Sequence, residues 1–561
     1  IGCDAEFPQC NWCKHHNLAC TYNRIAGRIK SRFQLTNQIR NHIDLSSFSN
    51  VAQSESRGSK SFLSNTGSLT FFSGIHLLSD EGIEWIEHQV GDKVNCAKLN
   101  ALELPWTCPR LLHDDATILS DSVTKLPCRE IVELYVSRYT SSFQSLVFPV
   151  ISKSIFTKTL DLAYGPPGVF GYASARACVW SFLSLVGMFG FDINTYGAVD
   201  CGSYISEARG LLPSIIHEMT VDGLQSLVML VQIEYFLGDL QSAAVSISIA
   251  TRLLYKLGTH TASANPNQSL HPSHYDKSRL ECHMRDLFWV CYSFDKDICL
   301  RIGQPPSIND SEYDLSLPLE YARLQNLNML RDNIASDDRV LPLFPWDIRL
   351  SMIKSEAYTT LYSAKAHFKS DSEVLESIRH LDAALEQWRL SLEPEIRPLL
   401  CHTPDTSVRT GLNTQQVMLC LAYYHCVSII HQASDRRNIS GLFHAGIELE
   451  GISSSATIST TASRSTLSLL QTTLPSLKGE CFWVVLFYIL TANLSLFCKI
   501  LRDPLQPESS HDVNILQDIP ALLNKIPIRY LTPAEIMHLK FLNGFTAEFA
   551  RLAMCATSKA Q

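Results

Sequence analysis

From about Leu126 to Gln561 the apolar residues return every three or four positions, and the two-residue alternation of a half-buried strand is scarce. A chain patterned this way over most of its length buries its apolar stripes by packing helix on helix, so the fold class is all-α. Gly223 to Leu237 and Leu240 to Leu257 read as a helix pair broken at Gly238 and Asp239, with Gly258 as a C-terminal cap. Stacked pairs of this kind give a bundle or an irregular solenoid, and no fixed repeat period names a repeat array. The 561 residues, 46% hydrophobic and 18% charged, are an ordinary globular balance with material for a large core and more than one domain.

Local signals place further elements. Ser79 with Gly82 to Ile86 predicts a short capped helix ending near Gly91. Phe482 to Cys498 is 17 residues without a charge, at the short edge for a membrane span; Thr491, Asn493 and Ser495 dilute it, and a buried core helix suits it better. The Ser- and Thr-rich run Ile452 to Thr473 reads as a mobile surface loop, open to phosphorylation by composition. Thr532-Pro533-Ala534-Glu535 reads as a capping box opening a last amphipathic helix through Ile536, Leu539, Leu542 and Phe545.

The N-terminal end carries a different chemistry. Cys3, Cys10, Cys13 and Cys20 form C-x6-C-x2-C-x6-C, a spacing that lets a short turn wrap thiolates around zinc. A disulfide scaffold would suit a small secreted domain, and no signal peptide is visible; a redox C-x-x-C at Cys10 and Cys13 would need a strand before it and a helix after it. The other fourteen cysteines are scattered from Cys96 to Cys555 and read as small buried hydrophobes in a reducing compartment. Through Arg40, six basic residues stand against Asp4 and Glu6, a local charge of +4 on a chain whose net charge is −8. A basic head on an acidic body is the electrostatic footprint of a tethered nucleic-acid-binding module. Ile25, Ile29 and Phe33, then Leu35, Ile39 and Ile43, predict a short amphipathic helix with weak dimerisation character, and Ser46 to Ser68 reads as a flexible linker.

The segment Cys3 to Arg24, CDAEFPQCNWCKHHNLACTYNR, resembles the second half of the fungal zinc binuclear cluster (Zn2Cys6) DNA-binding domain. The resemblance implies Cys3, Cys10, Cys13 and Cys20 as ligands of a two-zinc cluster, with Pro8 in the loop that turns the chain. It implies Lys14 and Arg24 as DNA contacts, Lys14 on phosphate. The family's first C-x2-C and the basic residues that follow it have no counterpart here, so both zinc sites are incomplete and the chain reads as N-terminally truncated. A second stretch, Arg285 to Pro318 (RDLFWVCYSFDKDICLRIGQPPSINDSEYDLSLP), resembles the core of the fungal-specific transcription factor regulatory domain, or middle homology region. Tyr135 to Thr159 and Leu381 to Arg397 resemble its start and a later helix.

The domain reading is therefore a partial cluster over 1–32, a linker with a possible dimerisation helix over 33–74, and an all-α regulatory domain over 75–561. The resemblance implies a nuclear, zinc-dependent transcription regulator of RNA polymerase II genes. It would bind double-stranded DNA at CGG-type half-sites, as a homodimer and with coregulators, away from any membrane. The alternative is an interaction or corepressor protein acting through the helical domain alone.

Among charges near the second stretch, Asp297 and Arg301 stand at i, i+4 and are predicted to pair on a helix face for only ~0.3–0.5 kcal/mol. Arg285 is expected to anchor nearby carbonyls, and a scaffold role is favoured over inducer contact for this group. Enzyme signals are poor: no H-E-x-x-H, no phosphate-binding glycine loop and no nucleophile elbow. The acidic pairs Asp114-Asp115 and Asp337-Asp338 could suggest a Mg²⁺-diphosphate enzyme, but their turn-like contexts favour solvated loops, as does that of His15-His16.

Overall fold

The computed structural model describes residues 71–72, 75–76, 80–95, 125–191, 201–261, 272–318, 320–330, 343–400, 411–434, 447–477, 481–527 and 533–561. All of them lie in one compact unit, Asn65–Gln561. The cysteines Cys3, Cys10, Cys13 and Cys20, the expected DNA contacts Lys14 and Arg24, and His15-His16, Asp114-Asp115 and Asp337-Asp338 lie outside the described residues. So do the helix expected between Ile25 and Ile43 and the linker of Ser46 to Ser68.

The described residues are all-α, as the periodicity predicts. The only strand pairing among them is a two-residue antiparallel ladder of β1 (Phe71–Phe72) and β2 (Ile75–His76), with Phe71 opposite His76. A first group of helices comprises α1 (Asp80–Val90), α2 (Arg129–Thr140), α3 (Phe143–Val147), α4 (Lys153–Ala163), α5 (Tyr172–Met188), α6 (Cys201–Gly210) and α7 (Leu212–Glu218). The centre is built from α8 (Val221–Phe236), α9 (Leu240–Lys256), α10 (Pro272–Ile302), α11 (Tyr321–Met329), α12 (Ile348–Ala357) and α13 (Asp371–Leu390). Then follow α14 (Thr414–Gln432), α15 (Ile447–Thr473), α16 (Phe482–Arg502), α17 (Ser509–Leu523) and α18 (Pro533–Ala560). Neighbours in sequence pack in space: α5 against α4, α6 and α8, α8 against α9, α14 against α15, and α15 against α16. The contact of α8 with α16 and of α1 with α18 ties early helices to late ones in a single core.

The predicted breaks carry this packing. Gly238 adopts φ +81 between α8 and α9, Asp239 caps α9 by accepting from the Ser242 amide at 3.1 Å, and Thr220 caps α8 through Gly223. A Cβ on Gly238 would stand 3.1 Å from the indole of Trp483, so backbone freedom and close approach of α16 both require glycine there. Gly91, at φ +73, ends α1 as expected. Capping boxes Ser370–Glu373 and Asn413–Gln416 open α13 and α14. The helix α18 begins at Pro533, while Thr532 lies outside the described residues. The Phe-Pro-Val segment after α3 is fixed by Tyr139, whose hydroxyl donates to the Phe148 carbonyl at 2.6 Å, and by Gln225, whose amide donates to the Val150 carbonyl at 3.2 Å.

Two expectations need correction. The run Ile452 to Thr473 is no surface loop but the helix α15, buried between α14 and α16. Four of its buried hydroxyls do not need water, because they fold back on carbonyls one turn earlier: Thr460 on Ala456, Ser463 on Ser459, Ser465 on Thr461 and Thr466 on Ala462, at 2.8 to 3.1 Å. Ser428 of α14 also donates to the Ser459 carbonyl, and Arg464 grips Asp512 of α17 with two bonds of 2.6 and 2.7 Å. The second correction concerns cysteines. Of those described, Cys178, Cys291, Cys299, Cys420, Cys426, Cys481 and Cys498 are buried, but Cys128 and Cys282 are exposed. The helix α16 is the one described helix long and apolar enough to cross a membrane; here it is buried inside the fold, from Phe482 to Leu501.

Candidate functional site

The helix α10 carries two clusters of buried charge. The first is a junction around Asp297, which is fully buried. Its Oδ2 accepts from the Tyr235 hydroxyl and from Arg301 Nε, both at 2.5 Å, and its Oδ1 accepts from Lys354 Nζ at 2.5 Å. Three helices, α8, α10 and α12, therefore meet on one carboxylate. Burial alone would raise that carboxyl, but the charges of Arg301 and Lys354 override it and hold the group well below the usual carboxylate range. Arg301, buried to 1% exposure, is pushed down by burial and raised beyond that by Asp297, so both partners stay charged.

One carboxylate facing two cations leaves a surplus positive charge in the core, which aromatic faces offset. The Arg301 guanidinium lies 4.2, 4.6 and 5.1 Å from the ring centres of Phe487, Tyr488 and Tyr235, and Lys354 lies 5.1 Å from Trp346. His425 of α14 packs edge-on against Phe487 and Tyr488, and neither ring nitrogen has a hydrogen-bond partner among the described residues. Burial, reinforced by Arg301, pushes its pKa down to about 3 and keeps the ring neutral.

The second cluster straps the return segment onto α10. Gly303, at φ +68, ends the helix before Gln304-Pro305-Pro306. Asp295 then accepts from the amides of Ser307 and Ile308 at 2.8 and 3.0 Å. Lys296, fully buried, donates to the Ile308 carbonyl and pairs with Asp310 at 2.9 Å, while Tyr292 donates to Asp310 at 3.2 Å. Arg285 donates to the carbonyls of Asp314 and Ser316, its guanidinium 4.6 Å from the rings of Phe288 and Trp289. The expected anchoring of carbonyls by Arg285 is thus observed. The expected i, i+4 pairing of Asp297 with Arg301 is observed too, but both side chains are buried, so desolvation sets its energetics and the small value of a helix-face pair does not apply.

Neither cluster is arranged for catalysis. Asp297 has both oxygens occupied and is held ionised, His425 has no orienting partner, and Asp295 is committed to backbone amides. Among the described residues no group of three or more His, Cys, Asp or Glu side chains stands close enough to hold a metal ion. Sequence reasoning missed Tyr235 and Lys354, which stand 62 and 57 residues from Asp297 and carry no pattern relating them to it.

Residues 203–390 match the fungal specific transcription factor domain. That domain contains Tyr235, Asp295, Asp297, Arg301 and Lys354, whereas the rings of Phe487 and Tyr488 and the imidazole of His425 come from helices beyond its matched end. Two relatives, each an ABC-transporter-regulating transcription factor, from Aspergillus oryzae and Aspergillus fumigatus, are 25% identical over 518 residues, covering 87% of this chain and 54% of theirs. An uncharacterized transcriptional regulatory protein of Schizosaccharomyces pombe is 22% identical over 414 residues, covering 72% of this chain and 51% of its own. The chain thus spans about half the length of these curated relatives. No solved structure matches it.

Proposed function

We propose that the protein is a zinc-dependent, sequence-specific DNA-binding regulator of transcription by RNA polymerase II, acting in the nucleus. The observation that carries this reading is the coexistence, on one chain, of C-x6-C-x2-C-x6-C at Cys3 to Cys20 and the transcription factor domain matched over 203–390. The names of the relatives support it. In this reading Cys3, Cys10, Cys13 and Cys20 are zinc ligands of a binuclear cluster that positions the chain on CGG-type triplets. Lys14 and Arg24 contact the DNA, Lys14 on phosphate, which fixes register without reading sequence. Dimer formation and coregulator contacts belong to the same proposal. The helical body is a regulatory scaffold without enzymatic activity, its buried charges serving to lock helices together.

The test is zinc content, measured by elemental mass spectrometry on the protein purified from its source. Zinc is expected to co-purify and to fall in Cys13→Ser, because a thiolate ligand is lost. Protein without zinc, or zinc unchanged in Cys13→Ser and in Cys10→Ser, would refute the metal assignment.

A further inference from the structure

Beside the Asp297 junction lies a partly open cavity of about 230 Å³, formed where helix ends from distant parts of the chain meet. Phe148, Phe189, Phe236 and Trp346 form aromatic walls, and Met418 and Val484 add aliphatic surface from α14 and α16. Phe143 and Gln144 of α3, with Asn413 and Thr414 at the start of α14, add half-buried residues to its lining. Among the described residues no charged side chain lines it.

The walls are braced and do not simply close. Phe148 stacks on Phe189 at 5.5 Å and meets Phe236 edge-on at 5.7 Å, while Trp346 is held edge-on by Tyr235 and Phe294, each at 5.3 Å. The turn that delivers Trp346 is itself under backbone strain: Phe344, a bulky residue directly before Pro345, sits at φ +60. It is kept there by Leu343, whose amide donates to the Leu146 carbonyl at 2.7 Å, and by Gln415, whose Nε2 donates to the carbonyls of Phe344 and Pro345 at 3.3 and 3.1 Å. A strained turn locked from two sides to hold a wall in place suits a preformed binding site better than a packing defect.

We infer that this cavity is a binding site for a small, neutral, apolar molecule of one or two fused rings. Size excludes a peptide helix, which is about 10 Å across with its side chains. The volume exceeds the ~150 Å³ that holds benzene in an engineered apolar cavity. Chemistry disfavours an ion, since the polar groups of the lining, such as Gln144, Asn413 and Thr414, are neutral and none of the described residues there supplies a counter-charge. The occupant would press on Tyr235, which lines the cavity and donates to Asp297, so the site adjoins the point where α8, α10 and α12 are joined. The inference stands whether or not the cysteine-rich segment binds DNA.

The test uses the full chain, methyl-labelled at methionine, titrated with indole as the probe and followed by NMR. Saturable binding is expected, with the Met418 methyl, identified by Met418→Leu, among the most strongly shifted by the ring current of the probe. Val484→Phe, which places a ring inside the cavity, is expected to weaken indole at least tenfold, and Cys481→Phe serves if that variant fails to fold. Absence of saturable binding, a Met418 methyl that stays in place while others move, or undiminished affinity in a folded cavity-filling variant would each overturn the site.

Discussion

Asp295 and Asp297 stand two residues apart on one helix, both buried, yet their carboxyls shift in opposite directions. Burial dominates at Asp295 and raises it, although Lys296 and the amides of Ser307 and Ile308 pull the other way. At Asp297 burial acts in the same sense, but Arg301 and Lys354 together overcome it. One aspartate tethers a loop through its backbone; the other joins three helices through side chains. Position within an apolar helix decides little here, and what each carboxylate faces decides its role.

Removing either group should expose this difference. Asp297→Ala leaves Arg301 and Lys354 buried without their counter-charge and is expected to destabilise by about 3–5 kcal/mol in urea unfolding. Asp295→Ala strands two backbone amides at the loop and is expected to cost less, about 1–3 kcal/mol. If the two variants were equally damaging, the distinction between junction and strap would fail.

His425 sharpens the comparison through pH. Its folded pKa, lowered to about 3, means the contribution to stability is complete above its ordinary value near 6.5 and is lost as pH falls toward 3. Between pH 7 and 5 this amounts to about 2 kcal/mol. His425→Phe should flatten that part of the acid limb when urea midpoints are compared at the two pH values. An unchanged slope would show that His425 is not held neutral by its burial beside Arg301. The smallest effect is expected at Arg285→Ala, about 1 kcal/mol, since the residue is only part-buried and its contribution is ring stacking plus carbonyl contacts.

The fold class, the α8–α9 break at Gly238 and the burial of α16 were all legible in the sequence, because each rests on a local signal: apolar period, glycine or an uncharged run diluted by polar residues. The helix α15 was not, because serine and threonine signal loops unless their hydroxyls find carbonyls in their own helix, and that depends on α14 and α16 excluding water. The Asp297 junction was half legible. Arg301 stands one turn away, but Lys354, Tyr235 and the rings of α16 arrive only through tertiary packing. The aromatic cavity was not legible at all, since its walls come from six separate segments.

The proposed function turns on DNA recognition, and the most direct measurement is fluorescence anisotropy of the native protein with a duplex bearing CGG triplets and with a scrambled duplex, at two salt concentrations. The account predicts tighter binding to the CGG duplex, affinity that falls steeply with salt as phosphate contacts release counterions, and loss of the preference in Cys13→Ser. Equal affinity for both duplexes, or none for either, would contradict it.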